Sequence, residues 1–451
     1  MLEAPFALKA GQTISEQNSR ESLLNMYLEK VPQGRGQIVR TGRPGVQRNY
    51  TVSGEARGIA YLLGNDYAVI GDGFYRLSTT ESTRLGTLAT AVGKVSFAEN
   101  ATQIAICDGF GLYVWDGFNL TQTTLPISAA GSIAALDGYG VFNDRSSGKF
   151  YRTNLNDFKT VDPLNFATAE SQPDKLVRVF VDHREIWLFG ETSIEVWANS
   201  GAVGFSFQRV GGVALERGCA AAFSVASEDN TVFWLGNDGM VYRADGYRPA
   251  RISDEGIERL IGDARPYTDA YGWVYAIPGH KFYVLTFPGR LTVAYDIATG
   301  GWHQARTYGS GSWDVVGPHK LGPTVVLGHG GVCQLSKLAY QDAGGVLERS
   351  ATAPPLYSSG KRIQVDAYWL DCDVGTADVS VAPTVMLQLA KDGETFGNIR
   401  TRGLGSVGDY KRRAVWRNLG IARDWTFRIS YTDNGPFSIV TGRMEAQVLA
   451  S

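Results

Sequence analysis

The sequence predicts an all-β protein: a β-propeller of six or seven blades followed by a second, smaller β-sandwich-like domain at the C-terminus. Three observations carry this reading. A short hairpin unit recurs along the first three quarters of the 451-residue chain. Glycine reaches 54 residues, above the average share of about 7%, beside 21 tyrosines, 20 phenylalanines and 10 tryptophans. Surplus glycine without a collagen period means many tight turns, and aromatics suit a pleated, half-buried surface. Beyond residue 360 the apolar/polar alternation changes character, which marks a second unit.

Residues 1–50 are polar and read as an N-terminal arm and lead-in. The stretch 22–28, SLLNMYL, suits one or two helical turns or an extended arm, and Pro32, Gly34, Gly36, Pro44 and Gly45 break any regular structure after it. This segment carries Lys30, Arg35, Arg40, Arg43 and Arg48 with no acidic residue between them. Such a run is either a solvated or packed arm, or a contact to nucleic acid.

The hairpin unit is clearest at 104–117, IAICDGFGLYVWDG, where two β-rich runs flank Asp and Gly residues that accept turn dihedrals. Related units have their turns at Asp72, Asp108, Asp144, Glu191, Asp238, Pro288 and His329, at steps of 36, 36, 47, 47, 50 and 41 residues. Periods of about 40–50 residues with several strands each are a propeller signature. One four-stranded blade cannot cover both of its faces, and radial stacking does so while leaving short edges. The propeller is assigned to 51–348, with an irregular sandwich as the competing architecture. A linker is read at 349–362, around APPLYSSG, and a C-terminal domain at 363–451, with strands near 363–370, 384–389, 414–416, 426–430 and 438–440.

Composition excludes several function classes. The formal net charge of −2 creates no global field for nucleic acid or membrane. Cys107, Cys219, Cys333 and Cys372 have no C-x-x-C spacing and read as buried free thiols. No basic and apolar N-terminal leader is evident, and no apolar run nears the roughly 20 residues of a spanning helix, so a protein made in the cytoplasm without membrane insertion is expected. The five histidines show no metal-ligand spacing, G-x-S-x-G is absent, and the turn acids Asp72, Asp108, Asp144 and Asp238 suit backbone hydrogen bonding. The G-x-G-x-x-G at 403–408 precedes strand-like residues, so it reads as a loop. No catalytic residue, cofactor or metal site is expected.

The remaining candidates are basic or aromatic. Between 400 and 428 stand Arg400, Arg402, Lys411, Arg412, Arg413, Arg417, Arg423 and Arg428 against Asp409 and Asp424. The set is a solvated or salt-bridged face, or a phosphate-backbone contact, and Trp416 and Trp425 suit interface anchors.

Six short stretches add a resemblance: 166–174 (FATAESQPD) with 185–197 (EIWLFGETSIEVW), Pro44-Gly45-Val46 with Arg57-Gly58-Ile59, and 411–420 (KRRAVWRNLG) with 427–430 (FRIS). Together they resemble the packaged-DNA-stabilisation, or tail-hub (nozzle), proteins of short-tailed bacteriophages. The resemblance implies a non-enzymatic virion protein of the phage tail, made in the host cytoplasm. It would form a homo-hexameric ring beneath the portal and adaptor proteins, close the channel and retain packaged double-stranded DNA without reading its sequence. It would also anchor tail fibres, spikes or a needle. The competing function is a carbohydrate-binding or glycoside-cleaving propeller, which the aromatics and turn acids permit.

Overall fold

A computed structural model describes residues 2–4, 6–8, 10–11, 21–32, 37–320, 325–375 and 382–449. Seven four-stranded antiparallel units form the blades of a propeller, six of them separate sheets and one part of a larger sheet. Blades 1 to 6 occupy 56–87, 96–122, 130–168, 176–215, 226–251 and 271–304. Blade 7 takes Val315–Val316, Val325–Gly328 and Gly331–Ser336 from the far end, and its outer strand, Gly45–Thr51, from the beginning of the chain. All seven turn markers fall at or beside the hairpin joining a blade's second and third strands. Residues 45–50, expected in the lead-in, are therefore a propeller strand that seals the wheel.

The packing follows from strand periodicity. In Ile104–Cys107 all four residues are buried. Ile104 and Ile106 pack with Val69 and Phe74 of blade 1, while Ala105 and Cys107 pack with Phe142 and Tyr151 of blade 3. Successive side chains of a strand point to opposite faces, so a blade with neighbours on both sides needs apolar residues at every position. Among the described residues the one helix, Glu255–Asp263, lies between blades 5 and 6. Asp254 caps it by accepting from Ile257 N at 2.9 Å, and Ile257 and Ile261 are buried with Phe233 and Tyr283. No helix among these residues is long and apolar enough to cross a membrane.

The C-terminal domain is a two-sheet sandwich. One sheet runs in the order Met26–Lys30, Ile38–Gly42, Ser438–Val448, Ile363–Cys372, Ala414–Ala422, and Leu2–Glu3 also pairs with Ser438–Val448. The other runs Ser22–Leu24, Arg349–Thr352, Asp424–Tyr431, Thr384–Lys391, Arg400–Gly403. Leu23, Met26, Val365, Tyr368, Leu387 and Phe427 help fill the space between them. The segment expected as an irregular arm thus supplies strands to both sheets. Residues 349–352 and Leu356–Tyr357, expected in a linker, pair with Asp424–Tyr431. Ser22–Leu24 also touches blade 6, parallel at Leu24 and Gln304, so sandwich and propeller share one sheet.

The centre of the wheel is closed at one end. First strands of blades 1 and 2, 2 and 3, 3 and 4, 5 and 6, and 7 and 1 lie side by side around an axis. Leaving Val315–Val316, the chain crosses beneath this axis. Pro318 O accepts from Val274 N of blade 6 at 3.0 Å, His319 O from Ser227 N of blade 5 at 2.9 Å, and Lys320 Nζ donates to Val181 O of blade 4 at 2.5 Å. Gly317 permits the crossing, because a Cβ there would stand 2.1 Å from the Trp273 ring.

Candidate functional site

The basic residues near the C-terminus gather along one rim of the sandwich. Arg400–Gly403 ends one sheet and Ala414–Ala422 ends the other, so two edge strands face each other. Side chains staple them: Arg402 Nε donates to Val415 O at 2.7 Å, and Trp416 Nε1 to Arg400 O at 2.9 Å. Arg400, Arg402, Lys411, Arg412, Arg413, Arg417 and Arg423 are exposed along this rim. Asp409 pairs loosely with Arg412 at 3.7 Å. Arg428 turns away, its guanidinium 3.7 Å from the Phe396 ring centre and its Nε 3.2 Å from Thr352 Oγ1. Exposed Ile399, Val407, Tyr410 and Ile421 add apolar area beside the charges. Cationic edge strands resist uncontrolled strand pairing, and arginine beside aromatic and aliphatic groups suits a protein interface.

Trp416 and Trp425 are not surface anchors. They are 1% and 0% exposed within the sandwich core. Trp425 Nε1 donates to Ile363 O at 3.1 Å, so each indole has both its apolar body and its N–H satisfied inside.

The N-terminal basic run does not form a patch. Lys30 and Arg48 are exposed, and Arg35 lies outside the described residues. Arg40 is buried, donating to Ala7 O at 3.2 Å and Ile38 O at 2.8 Å. Arg43 is a buried joint between propeller and sandwich. Its Nη1 and Nη2 reach the two carboxylate oxygens of Asp342 at 3.0 and 2.5 Å, its Nε reaches Asn25 Oδ1 at 2.9 Å, and its guanidinium lies 4.2 Å from the Trp313 ring centre. Sequence carries no local sign of this role, because Asp342 lies 299 residues downstream.

Three of the four hairpin acids act in their turns, whereas Asp72 Oδ1 accepts from the Arg84 guanidinium at 2.9 Å. Asp108 Oδ1 accepts from Phe110 N at 3.1 Å and Gly111 N at 2.8 Å, Asp144 Oδ1 from Ser146 N at 3.0 Å, and Asp238 Oδ1 from Met240 N at 3.1 Å. The 403–408 stretch follows an edge strand and continues in turns, with Gly405 and Gly408 at positive φ, so no helix N-terminus faces it. All four cysteines are free. Burial pushes Cys107 up to about 12, Cys219 to about 11, and Cys333 and Cys372 to about 12, far from the thiolate form. Among the described residues no cluster of three His, Cys, Asp or Glu side chains could hold a metal ion.

Residues 8–315 match the family described as Bacteriophage P22 Gp10, beta-propeller, and residues 348–447 match Bacteriophage P22 Gp10, beta-sandwich. The chain belongs to the P22 Gp10 family. This is a family of phage structural proteins, and membership makes the chain a virion component. The Gp10 propeller match ends at 315, whereas the seventh blade continues to 336 and closes on Gly45–Thr51. A search of curated proteins finds no match. Solved structures similar to this Gp10-family chain include PorZ, an essential surface component of the type-IX secretion system of Porphyromonas gingivalis (11% identity, TM-score 0.41, covering 72% of this chain and 44% of PorZ). BamB from Moraxella catarrhalis (11%, 0.39, 73% and 99%) and glutaminyl cyclase from Myxococcus xanthus (12%, 0.26, 44% and 91%) are two others. The chain thus matches less than half the length of PorZ.

Proposed function

We propose that this protein is a non-enzymatic subunit of a short phage tail. Six copies form a ring beneath the portal and adaptor, close the DNA channel, retain the packaged genome and anchor fibres, spikes or a needle. The observation that carries the reading is the family match, which spans both domains of the chain. Two features support it. The propeller axis is crossed by 317–320, so duplex DNA would pass between subunits and not through a wheel. The charged rim at 400–417 gives each subunit an edge suited to a neighbouring protein. A net charge near zero also suits a lumen from which DNA must leave, because dense phosphate neutralisation would hold it back.

Native mass spectrometry and electron microscopy of the full chain, alone and with its adaptor, test the proposal. A closed sixfold ring is expected. A protein that stays monomeric at high concentration in the presence of adaptor overturns it.

A further inference from the structure

Three large apolar side chains stand out from the propeller on successive blades. Phe118 and Leu164 are 86% and 82% exposed, and Val203 is fully exposed. Each sits in the connection between a blade's third and outer strands, in blades 2, 3 and 4 respectively. Strands alternate in direction within every blade, so these connections emerge on one face of the wheel. The corresponding connections of blades 1 and 6, 78–81 (STTE) and 297–301 (IATGG), carry no exposed large apolar residue. In blade 5, Tyr247 is tied by its hydroxyl to Glu185 of blade 4.

The three connections are ordered and joined to one another. Asp116 Oδ1 accepts from Phe118 N at 2.9 Å, Asp162 Oδ1 from Leu164 N at 2.9 Å, and Asn199 Oδ1 from Gly201 N at 3.0 Å. Lys159 Nζ donates to Asp116 Oδ2 at 2.6 Å, which links blade 3 to blade 2. Arg152 links blade 3 to blade 4, donating from Nη2 to Gly204 O at 2.6 Å and from its backbone N to Asn165 O at 3.1 Å. Residues 116–119, 154–165 and 199–206 therefore make one linked arc. Single exposed apolar residues are ordinary, whereas neighbouring ones held in place mark a contact surface. The arc also carries Asp116, Asp157 and Asp162 against Lys159 alone.

The sandwich rim has the opposite charge and stands at the opposite end of the subunit. Residues 400–417 hold six cations against Asp409 alone, with Val407 and Tyr410 exposed beside them. The sandwich meets the wheel at Gln304, in the outer strand of blade 6, and at Asp342, just beyond blade 7. Arg400–Gly403 is the fourth strand beyond Ser22–Leu24 in the shared sheet, about 19 Å farther out at the usual strand spacing. Blades 2–4 lie across the axis from blades 6 and 7. One chain cannot bring its own rim to its own arc.

We infer that the arc of blades 2–4 on one copy receives the 400–417 rim of the next copy. The acids of the arc meet the arginines, and its apolar tips meet Val407 and Tyr410. The two surfaces differ, so the contact is heterologous, and repeating it builds a closed ring or an open filament. The inference rests on the proposed oligomer and names the contact that assembles it.

Leu164→Cys and Tyr410→Cys are prepared as separate full-length chains, then mixed with adaptor and a short bis-maleimide. Wild type, whose four cysteines are buried or half-buried, is the control. Mass spectrometry is expected to find 164–410 links between unlike chains, and no links in either variant alone. A further variant combines Phe118→Ser, Leu164→Ser and Val203→Ser. Its Tm should be unchanged because the tips are exposed, and its self-association should weaken at least about tenfold as apolar anchors are lost. A sixfold ring without 164–410 links, or undiminished association of the serine variant, overturns the contact and leaves the ring standing. Unlike links in open filaments keep the contact and remove the sixfold ring. A chain that stays monomeric beside its adaptor and gives no link removes both. Should the serine variant not fold, the links alone decide.

Discussion

Arg43 and Arg412 are alike as letters and unlike as physical objects. Arg43 is fully enclosed, and removing it would leave the Asp342 carboxylate charged in a dry joint. Arg43→Ala is therefore expected to cost about 3–5 kcal/mol in urea denaturation, and pairing it with Asp342→Asn should cost much less than the sum of the two. His303 gives a second test at this scale. Burial, with Arg43 and His280 nearby, pushes its imidazole down to about 3, so it is neutral in the fold and protonated in the unfolded chain below about pH 6.5. The unfolded state then binds the extra proton, so this group's stability is present above about pH 6.5 and is lost as pH falls toward 3. Near pH 5 it contributes a slope of about 1.4 kcal/mol per pH unit. His303→Gln should flatten the pH dependence of unfolding by that amount, and an unchanged slope would refute the assignment. Neither role is legible in sequence. A cluster of arginines and a tryptophan such as Trp416 read as surface features because composition carries no information on burial, and the partners that bury them lie tens to hundreds of residues away.

At the scale of elements, the second and third strands of every blade were legible because a tight hairpin is local: its turn acid, its glycine and its two apolar runs fit within a short stretch of chain. The outer strands were not. Gly45–Thr51 pairs with Gly331–Ser336 from the opposite end of the propeller, and its largely polar sequence resembles any polar arm. Its buried side chain is Val46, 1% exposed and packed with Val332 and Cys333, whereas Asn49 is exposed. Val46→Asp is expected to destabilise by several kcal/mol, since it trades a filled contact for a buried charge. Asn49→Asp should stay within about 0.5 kcal/mol of wild type. Thermal unfolding and limited proteolysis of the two variants measure the difference, which should show as early cleavage around blade 7 in the first variant alone. The sandwich was legible as five strands and an approximate boundary. Its N-terminal strands were hidden for the reason that hid the blade closure.

At the scale of the molecule, the rim at 400–417 is a dense row of exposed cations on the outer edge of the sandwich. If the proposed ring forms, neutralising Arg412 and Arg413 to glutamine is expected to impair its assembly more than genome retention, read by particle counts and packaged DNA per particle. Normal assembly with selective loss of DNA would move the pair to the channel. The closing strand of blade 7 also sets an order in time. It leaves the ribosome early, as residues 45–51, yet its partner is made only from residue 331 onward. Until then Gly45–Thr51 has no partner strand and the inner strand of blade 1 has no blade 7 beside it. A chain cut short before residue 331 can neither pair Gly45–Thr51 nor close the wheel, so its own topology withholds the finished propeller from it.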